Sequence, residues 1–537
     1  MKKLLFLLFF VFIGQLLAQT GPAGVGTADG FSELQLWLDA NRNVFKDANG
    51  RTFANDTNRV RMWADLSGSG HHVLSKFDSN RPTFTKENAF FNSQNALLFA
   101  RNASVVNNRN YLTSNSFLAT DDISIYCVFH PIAKGGGNNV SPYVGSDKDT
   151  AWYGGSRIVD ADVEGPKNDV TMTLSATSLT AGGGDSSTKL EYTVKTPLKL
   201  NKTCFGVLTK EKSSGFFTIS KNGDLPQMIK GGAQSINNSA HYTIGGGKGF
   251  EQYGRDEDFF SGYISSVIIF YKKLSEAEGI ILNNYLSARY AITLVQNDLY
   301  KMDEPALGNY DFELAGIGIG NDGIAQTSAK GEGMVEIGQA SDLSKGEYLL
   351  WAHNGQSLNY QNQDFPEGVQ QRLKRTWRVN EIGEIGKMNI TIDTKSFGST
   401  DVKELVLLID ADNNGSFENE KVSESMISAT QYLGNGRYLF KEVSLNNENR
   451  FTFGTLKPLC QTDCDEAFSP NGDGLSDTYY LENAGKTAIF DKFGIKIKEL
   501  QTPAYWDGTK SAGELASPGL YFVVTNDSHQ KAVTLAR

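Results

Sequence analysis

Cysteine, histidine and proline are scarce in this sequence: 537 residues carry 4 Cys, 6 His and 13 Pro. Four cysteines in such a length exclude a small disulfide-held scaffold. Six histidines leave little material for a histidine-rich metal enzyme. Positive charge is short as well. The balance of 51 Lys and Arg against 61 Asp and Glu gives −10, which excludes the basic footprint of a nucleic-acid binder. What is plentiful is glycine, 55 residues, with 39% hydrophobic and 11% aromatic residues. That content excludes wholesale disorder. A single core stops growing near ~250–300 residues, so the length implies two to four domains.

The first segment sets the compartment. Met1 to Lys3 is a short basic start, Leu4 to Leu17 is apolar apart from Gly14 and Gln15, and Ala18 is a small residue before Gln19. This is the pattern of a signal peptide, 1–18, cleaved after Ala18. Losing Lys2 and Lys3 takes the side-chain charge from −10 to −12. No later run reaches the ~18 apolar residues of a membrane-spanning helix, so no transmembrane segment is expected in the mature chain. Residues 19–30, which include GPAGVGTADG, read as a flexible leader.

From residue 31 short apolar runs alternate with Gly, Asn, Asp and Ser clusters. Ile123 to Phe129, Phe216 to Ser220 and Ile264 to Tyr271 are strand-length and rich in β-branched and aromatic residues. Asn222-Gly223 is a hairpin signal. The exception is Ser275 to about 290, where Ser275 and Glu278 make a capping box and Ile281, Leu282, Tyr285, Leu286 and Ala288 follow a helical period. These features predict a mainly β, multidomain chain of sandwiches with a helix packed beside the first. Leu36-Trp37-Leu38-Asp39-Ala40, Trp63-Ala64-Asp65-Leu66-Ser67 through His72, and Arg81-Pro82 resemble the opening of a laminin-G-like, concanavalin A-type jelly roll. Phe260 to Ile264 and Leu274 to Leu286 resemble its close. The resemblance covers 31–295 and implies a two-sheet sandwich that binds glycans or proteins, sometimes with calcium.

The same fold carries glycoside hydrolases, so catalysis must be sought in residues. A retaining glycosidase needs two carboxyls ~5–5.5 Å apart, and no alternating carboxylate pair lies within an apolar strand. Asp256-Glu257-Asp258 reads as a solvated turn, and His71-His72 as packing residues of a rim loop. No enzyme is expected. Gly318-x-Gly320-x-x-Gly323 lacks a following helix, and Gly245-Gly246-Gly247-Lys248 lacks the P-loop spacing, so neither predicts a nucleotide site.

Residues 296–458 read as a second β-sandwich, with runs at Tyr348 to Trp351, Met388 to Ile392 and Leu405 to Ile409. Lys374 to Val379 alternates as a solvent-facing strand would. Leu314 to Gly318 and Leu349 to Ala352 resemble an uncharacterised β module that follows such jelly rolls in exported Bacteroidota proteins. Asp410, Asp412 and Asn414, with Gly415 next, place oxygens at positions 1, 3 and 5 of a calcium-type loop. Position 12 is Lys421, with Glu418 or Glu420 as substitutes. The competing reading is an Asp/Asn-Gly turn.

The C-terminal 459–537 carries Asn471-Gly472-Asp473-Gly474, Trp506-Asp507-Gly508 and Pro518-Gly519-Leu520-Tyr521, after Phe468-Ser469-Pro470. In this order they resemble the gliding-motility-associated C-terminal domain, a type B sorting signal of the type IX secretion system, with a small Ig-like fold. Phe490-Asp491-Lys492-Phe493 departs from that family's usual Tyr-Asn-Arg-Trp. Cys460 and Cys464 are either a short-loop disulfide or free thiols; Cys127 and Cys204 read as buried thiols. The expectation is a secreted or cell-surface protein, handled by outer-membrane type IX machinery and binding a glycan or surface protein. A polysaccharide hydrolase or lyase, and a structural surface protein without a specific ligand, are the alternatives. The loops Gly135 to Tyr143 and Gly245 to Tyr253 are the expected sugar platforms.

Overall fold

The computed structural model describes residues 19–101, 109–114, 120–137, 143–145, 152–163, 167–236, 241–247, 258–396, 402–457, 466–470, 478–526 and 529–536. The signal peptide, Cys460, Cys464 and the motif Asn471 to Gly474 lie outside them.

The apolar runs become strands because each alternates a core face with a second face. Ile123–Pro131 and Gly262–Phe270 lie at the middle of an eight-stranded antiparallel sheet, joined by Cys204–Glu211, Phe216–Lys221 and Gln94–Phe99, with Leu34–Asp39 paired to Gly262–Phe270. A ten-stranded sheet faces it, containing Ser156–Asp160, Thr171–Ser175, Ser178–Asp185 and Leu190–Pro197 in that order. Leu36, Leu38, Trp63, Ile125, Cys127, Phe129, Met172, Val194, Val267 and Ile269 fill the space between them. This is the jelly roll expected from the sequence.

The back of the eight-stranded sheet is apolar too: Trp37, Tyr126, Val128, Phe205, Ile268 and Phe270. They pack on the helix Glu276–Tyr290, whose capping box forms as predicted, with Glu278 N donating to Ser275 Oγ (3.3 Å) and Ser275 N to Glu278 Oε2 (2.9 Å). Across the helix lie Leu314, Tyr348, Leu350 and Ala352 of the next module. The helix is therefore buried on two sides, and it belongs as much to the second module as to the first. Asn284 ties the connection down. Its Nδ2 donates to Asn297 O (2.8 Å), and its Oδ1 accepts from Leu299 N and Tyr300 N (2.9 Å each).

The second module is a sandwich of nine-stranded and five-stranded sheets around Ile317, Trp351, Trp377, Ile390, Ile392, Leu407, Phe440 and Phe453. The run at Lys374 to Val379 does not alternate toward solvent: Lys374 alone is exposed, and Thr376 to Val379 are buried in succession. Trp377, Arg378 and Val379 are buried, and Arg378 donates to Leu307 O (2.5 Å) and Glu448 O (3.1 Å). Gly318 lies in the last residue pair of the strand Phe312–Ile319, and Gly320 to Gly323 make a turn into Ala325–Gln326, with no helix following.

The leader is not flexible. Ala23 and Val25 are fully buried, Gln19 pairs in parallel with Ala329, and Lys330 N and Gly331 N donate to Gln19 O (3.0 and 3.1 Å). Gln326 Nε2 donates to Gly24 O. Glycine here serves a tight loop, closed by Gly21 N to Gly26 O (2.8 Å). A side chain on Gly24, at φ +76°, would strike Ala329.

The described part of the C-terminal segment is one five-stranded sheet with its own core of Phe468, Tyr479, Ile489, Trp506, Tyr521, Val523, Val533 and Leu535.

Candidate functional site

Four places in the fold collect chemistry-bearing side chains. The first is a cleft of about 390 Å³ at the jelly-roll rim, between the loop that follows Leu34–Asp39 and the strands Thr83–Asn88 and Gln94–Phe99. Its wall carries the amides Asn41, Asn43, Asn55 and Asn95, the cations Arg42 and Lys86, and the ring of Phe53. Phe53 is 62% exposed, yet its ring is fixed by stacking on Phe45 at 4.8 Å between centroids. Asn43 reaches the wall from a left-handed backbone (φ 55°), which Asn tolerates better than most residues. Asn41 is oriented by Asp39: its Nδ2 donates to Asp39 Oδ1 (3.0 Å), while its Oδ1 accepts from Asn95 N (2.9 Å). The cleft thus offers an apolar ring beside several hydrogen-bonding amides, the composition of a small polar-ligand site.

Neither loop expected to form a sugar platform can be placed there. Residues 138–142 and 248–253 lie outside the described residues. Gly135 and Gly137 press against Leu174 and Gly154, and Gly245 and Gly246 against Phe99 and Phe259. The Asn-Arg-Asn and Phe-Ala-Asn stretches at 41–43 and 53–55 were the available signal. They are ordinary loop composition until the fold brings them together.

The second place is the outer face of the ten-stranded sheet, which sequence reading missed. Arg157 is buried among Asp160 (3.5 Å), Asp162 (3.4 Å) and Asp258 (3.9 Å). Asp258 was expected on a solvated turn; it is buried. Asp169 and Glu191 stand nearby, both buried. Asp169 Oδ1 accepts from Gly184 N (2.7 Å), whereas Glu191 Oε2 and Trp152 Nε1 are sealed from solvent and make no close hydrogen bond among the described residues. Trp152 lies over Gly182, where any Cβ would meet its indole. Five carboxyl groups around one guanidinium leave excess negative charge, and protonation relieves it. Burial, and then the charge of Asp162, pushes Glu191 up to about 7 against a smaller opposing pull from the Trp152 N–H. Burial outweighs Arg157 at Asp160, also up to about 7, and holds Asp169 well above its usual value.

Raised carboxyls give stability an unusual pH dependence. The folded state keeps these protons where the unfolded chain has lost them. Their contribution is therefore complete below the unfolded values near pH 4 and disappears as pH rises to about 7. For Glu191 this is about 1–1.5 kcal/mol after allowance for solvent screening, or about 1–2 °C in the melting temperature of a transition shared by jelly roll and second module. Glu191→Gln should flatten the fall of that melting temperature between pH 4.5 and 7.5. An unchanged slope in differential scanning calorimetry would show that Glu191 stays ionised.

The third place is the loop after Leu405–Asp410. Asp410, Asp412 and Glu420 converge there, while the Asn414 Oδ1 accepts from Ser416 N (2.8 Å). The fourth is the C-terminal sheet. Trp506 is fully buried and its Nε1 donates to Thr509 O (2.8 Å). Asp507 Oδ1 accepts from Thr509 N (3.1 Å) and Lys498 Nζ (2.9 Å). Gly508, at φ +72°, packs under Leu535 and Pro470. Pro518-Gly519 leads into Gly519–Thr525, where Tyr521 Oη donates to Ser517 O (2.6 Å). These motif residues hold a turn and a strand entry. Elsewhere, His71 Nδ1 contacts Gln35 O (2.8 Å) and His72 Nδ1 accepts from Asp65 N (3.0 Å), as packing residues of the rim loop. Cys127 and Cys204 are buried free thiols.

Known proteins match the chain in parts. The family model "Domain of unknown function (DUF8202)" matches residues 281–449, less than a third of the chain. That match starts inside the shared helix. No curated protein matches. Among solved structures, the chain is similar to the Ruminococcus gnavus IT-sialidase CBM40 bound to α2,3-sialyllactose, at 12% identity over 33% of this chain and 84% of that one, with TM-score 0.23. It is similar to the SAP-like pentraxin of Limulus polyphemus at 12% identity over 34% and 78%, with TM-score 0.23. It is similar to the binding domain of botulinum neurotoxin DC in complex with SialylT at 13% identity over 79% and 94%, with TM-score 0.29.

Proposed function

We propose that this is a carbohydrate-binding protein, exported to the cell surface or medium by type IX secretion, whose jelly roll takes a glycan in the rim cleft. The observation that supports binding there is the exposed but fixed Phe53 ring beside Asn41, Asn43 and Asn55. A sugar presents an apolar C–H face for a ring to cover and hydroxyl groups that pair with amides. A prepositioned ring loses little freedom on binding. The signal-peptide pattern and the C-terminal motifs support the destination.

Phe53→Ala should lower affinity for a bound polysaccharide at least tenfold, about 1.4 kcal/mol or more, with melting temperature unchanged because the ring is mostly exposed. Retention on insoluble polysaccharides, followed by titration with fragments of the one retained, measures this. Equal retention of the variant would move the site elsewhere.

A second reading is a hydrolase or lyase: Glu191 and Asp160 hold raised carboxyls of the kind acid–base chemistry uses near neutral pH. Both are buried, so this reading requires the cluster to open to substrate. A reducing-sugar assay on the same retained material separates the two: release that survives purification and disappears in Glu191→Gln supports catalysis.

A further inference from the structure

We infer that the loop from Asp410 to Glu420 binds a divalent cation of the calcium class through Asp410, Asp412 and Glu420. The inference is independent of the glycan reading. One carboxylate oxygen from each of the three lies within 4.8 Å of the other two, the span of two opposed calcium–oxygen bonds of about 2.4 Å. All three donors are hard oxygens, with no nitrogen or sulfur among them, which selects calcium or magnesium over the transition metals.

A second observation points to a missing ligand. Asp410 is wholly buried. Its Oδ2 accepts from Arg450 Nη1 (2.9 Å) and Gly415 N (3.0 Å), but Oδ1 is sealed from solvent and makes no hydrogen bond among the described residues. A buried carboxylate oxygen without a partner calls for a cation. Charge agrees: three carboxylates against one guanidinium leave −2 at the site.

The ligand set differs from the one the motif suggests. Asn414 Nδ2 donates to Asp412 Oδ2 (2.9 Å) and its Oδ1 accepts from Ser416 N (2.8 Å), so it shapes the turn. Glu420 takes its place, its Oε1 already positioned by Ala411 N (2.9 Å). The rest of the loop is held in place without the ion. Phe417 is buried with Val369, Val406 and Leu408, and Arg372 lies over its ring at 4.8 Å. A cation would tie the end of Leu405–Asp410 to the residue just before Lys421 and the short helix Val422–Ser425. It would thereby fasten the edge of the nine-stranded sheet.

The test uses the full-length chain stripped with EDTA. Isothermal titration with calcium chloride should show one site. Calcium at a hundred times its Kd should raise the melting temperature of the transition that contains the second module by about 3 °C. Glu420→Gln should weaken binding at least tenfold, whereas Asn414→Ala should stay within threefold of the unaltered chain. Asp412→Asn, at an exposed residue, is the replacement if Glu420→Gln fails to fold. Absence of calcium heat, or equal affinity in Glu420→Gln and Asp412→Asn, overturns the inference. So does loss of binding in Asn414→Ala with Glu420→Gln intact.

Discussion

Arg289→Ala is expected to cost about 3–5 kcal/mol of stability, the loss typical of breaking a buried ion pair from one side. Arg289 projects from the helix Glu276–Tyr290 into a sealed space between the two modules. Its Nη2 donates to Asp39 Oδ2 (2.7 Å) at the end of a jelly-roll strand, and its Nη1 to Glu332 Oε1 (3.0 Å) on a second-module loop. The Tyr285 hydroxyl donates to the same Glu332 carboxylate. Arg42 stands 3.5 Å from Asp39 and 3.6 Å from Glu332. Burial alone would raise the Asp39 carboxyl, but Arg289 and then Arg42 hold it below its usual value. Removing the guanidinium leaves two buried carboxylates facing each other with only a partly exposed arginine to balance them.

The consequence reaches beyond total stability, because Arg289 connects three parts of the chain. The unaltered protein should unfold its jelly roll and second module in one calorimetric transition, and Arg289→Ala should split it into two. Adding Asp39→Asn and Glu332→Gln to Arg289→Ala removes the stranded charges and should recover at least 1.5 kcal/mol, measured as a mutant-cycle coupling. A loss under 1 kcal/mol with a single transition would mean that apolar packing on the helix alone joins the modules.

The joined pair also shows which information the sequence carried in readable form. Strands such as Leu405–Asp410 and Gly262–Phe270 were legible because β-branched runs between turn residues leave few other options. The helix was legible from Ser275 and Glu278. Its double burial was not, because periodicity reports one apolar face and says nothing of a second partner. The leader misled for a related reason: glycine marks both flexible chain and tight loops, and only Ala329 and Gly331 of a distant segment decide between them. The carboxyls around Arg157 were invisible as a motif. Asp160, Asp169 and Glu191 come from or beside different strands, each placed singly in an unremarkable stretch. The one local trace is Gly182-Gly183-Gly184, an unusual run for a strand, which makes room for Trp152 and the Asp169 segment. At the cation loop the first two ligands could be read from spacing, while the choice of Glu420 over Asn414 depends on how the turn closes.

Deleting residues 459–537 is expected to abolish release from the cell while leaving the rest of the protein folded. Two separate facts carry this expectation. Among the described residues, the buried core of the C-terminal sheet is made of residues between Phe468 and Leu535 only, and the jelly-roll and second-module cores contain none of them. Truncation therefore removes a self-contained unit and should leave the main calorimetric transition unmoved. The segment carries motifs that resemble those of a sorting domain, and on the proposed export route the truncated chain should accumulate in the periplasm. Trp506→Ala separates the address from mere length. Losing this fully buried indole costs about 3–5 kcal/mol, enough to unfold so small a domain, so the full-length variant should be retained as the truncation is. Grafting 459–537 onto an unrelated periplasmic domain should conversely send that domain out. Fractionation of cells and medium reads all three. Release of the truncated chain at the level of the unaltered protein would refute the sorting role and leave the C-terminal sheet as an ordinary terminal module.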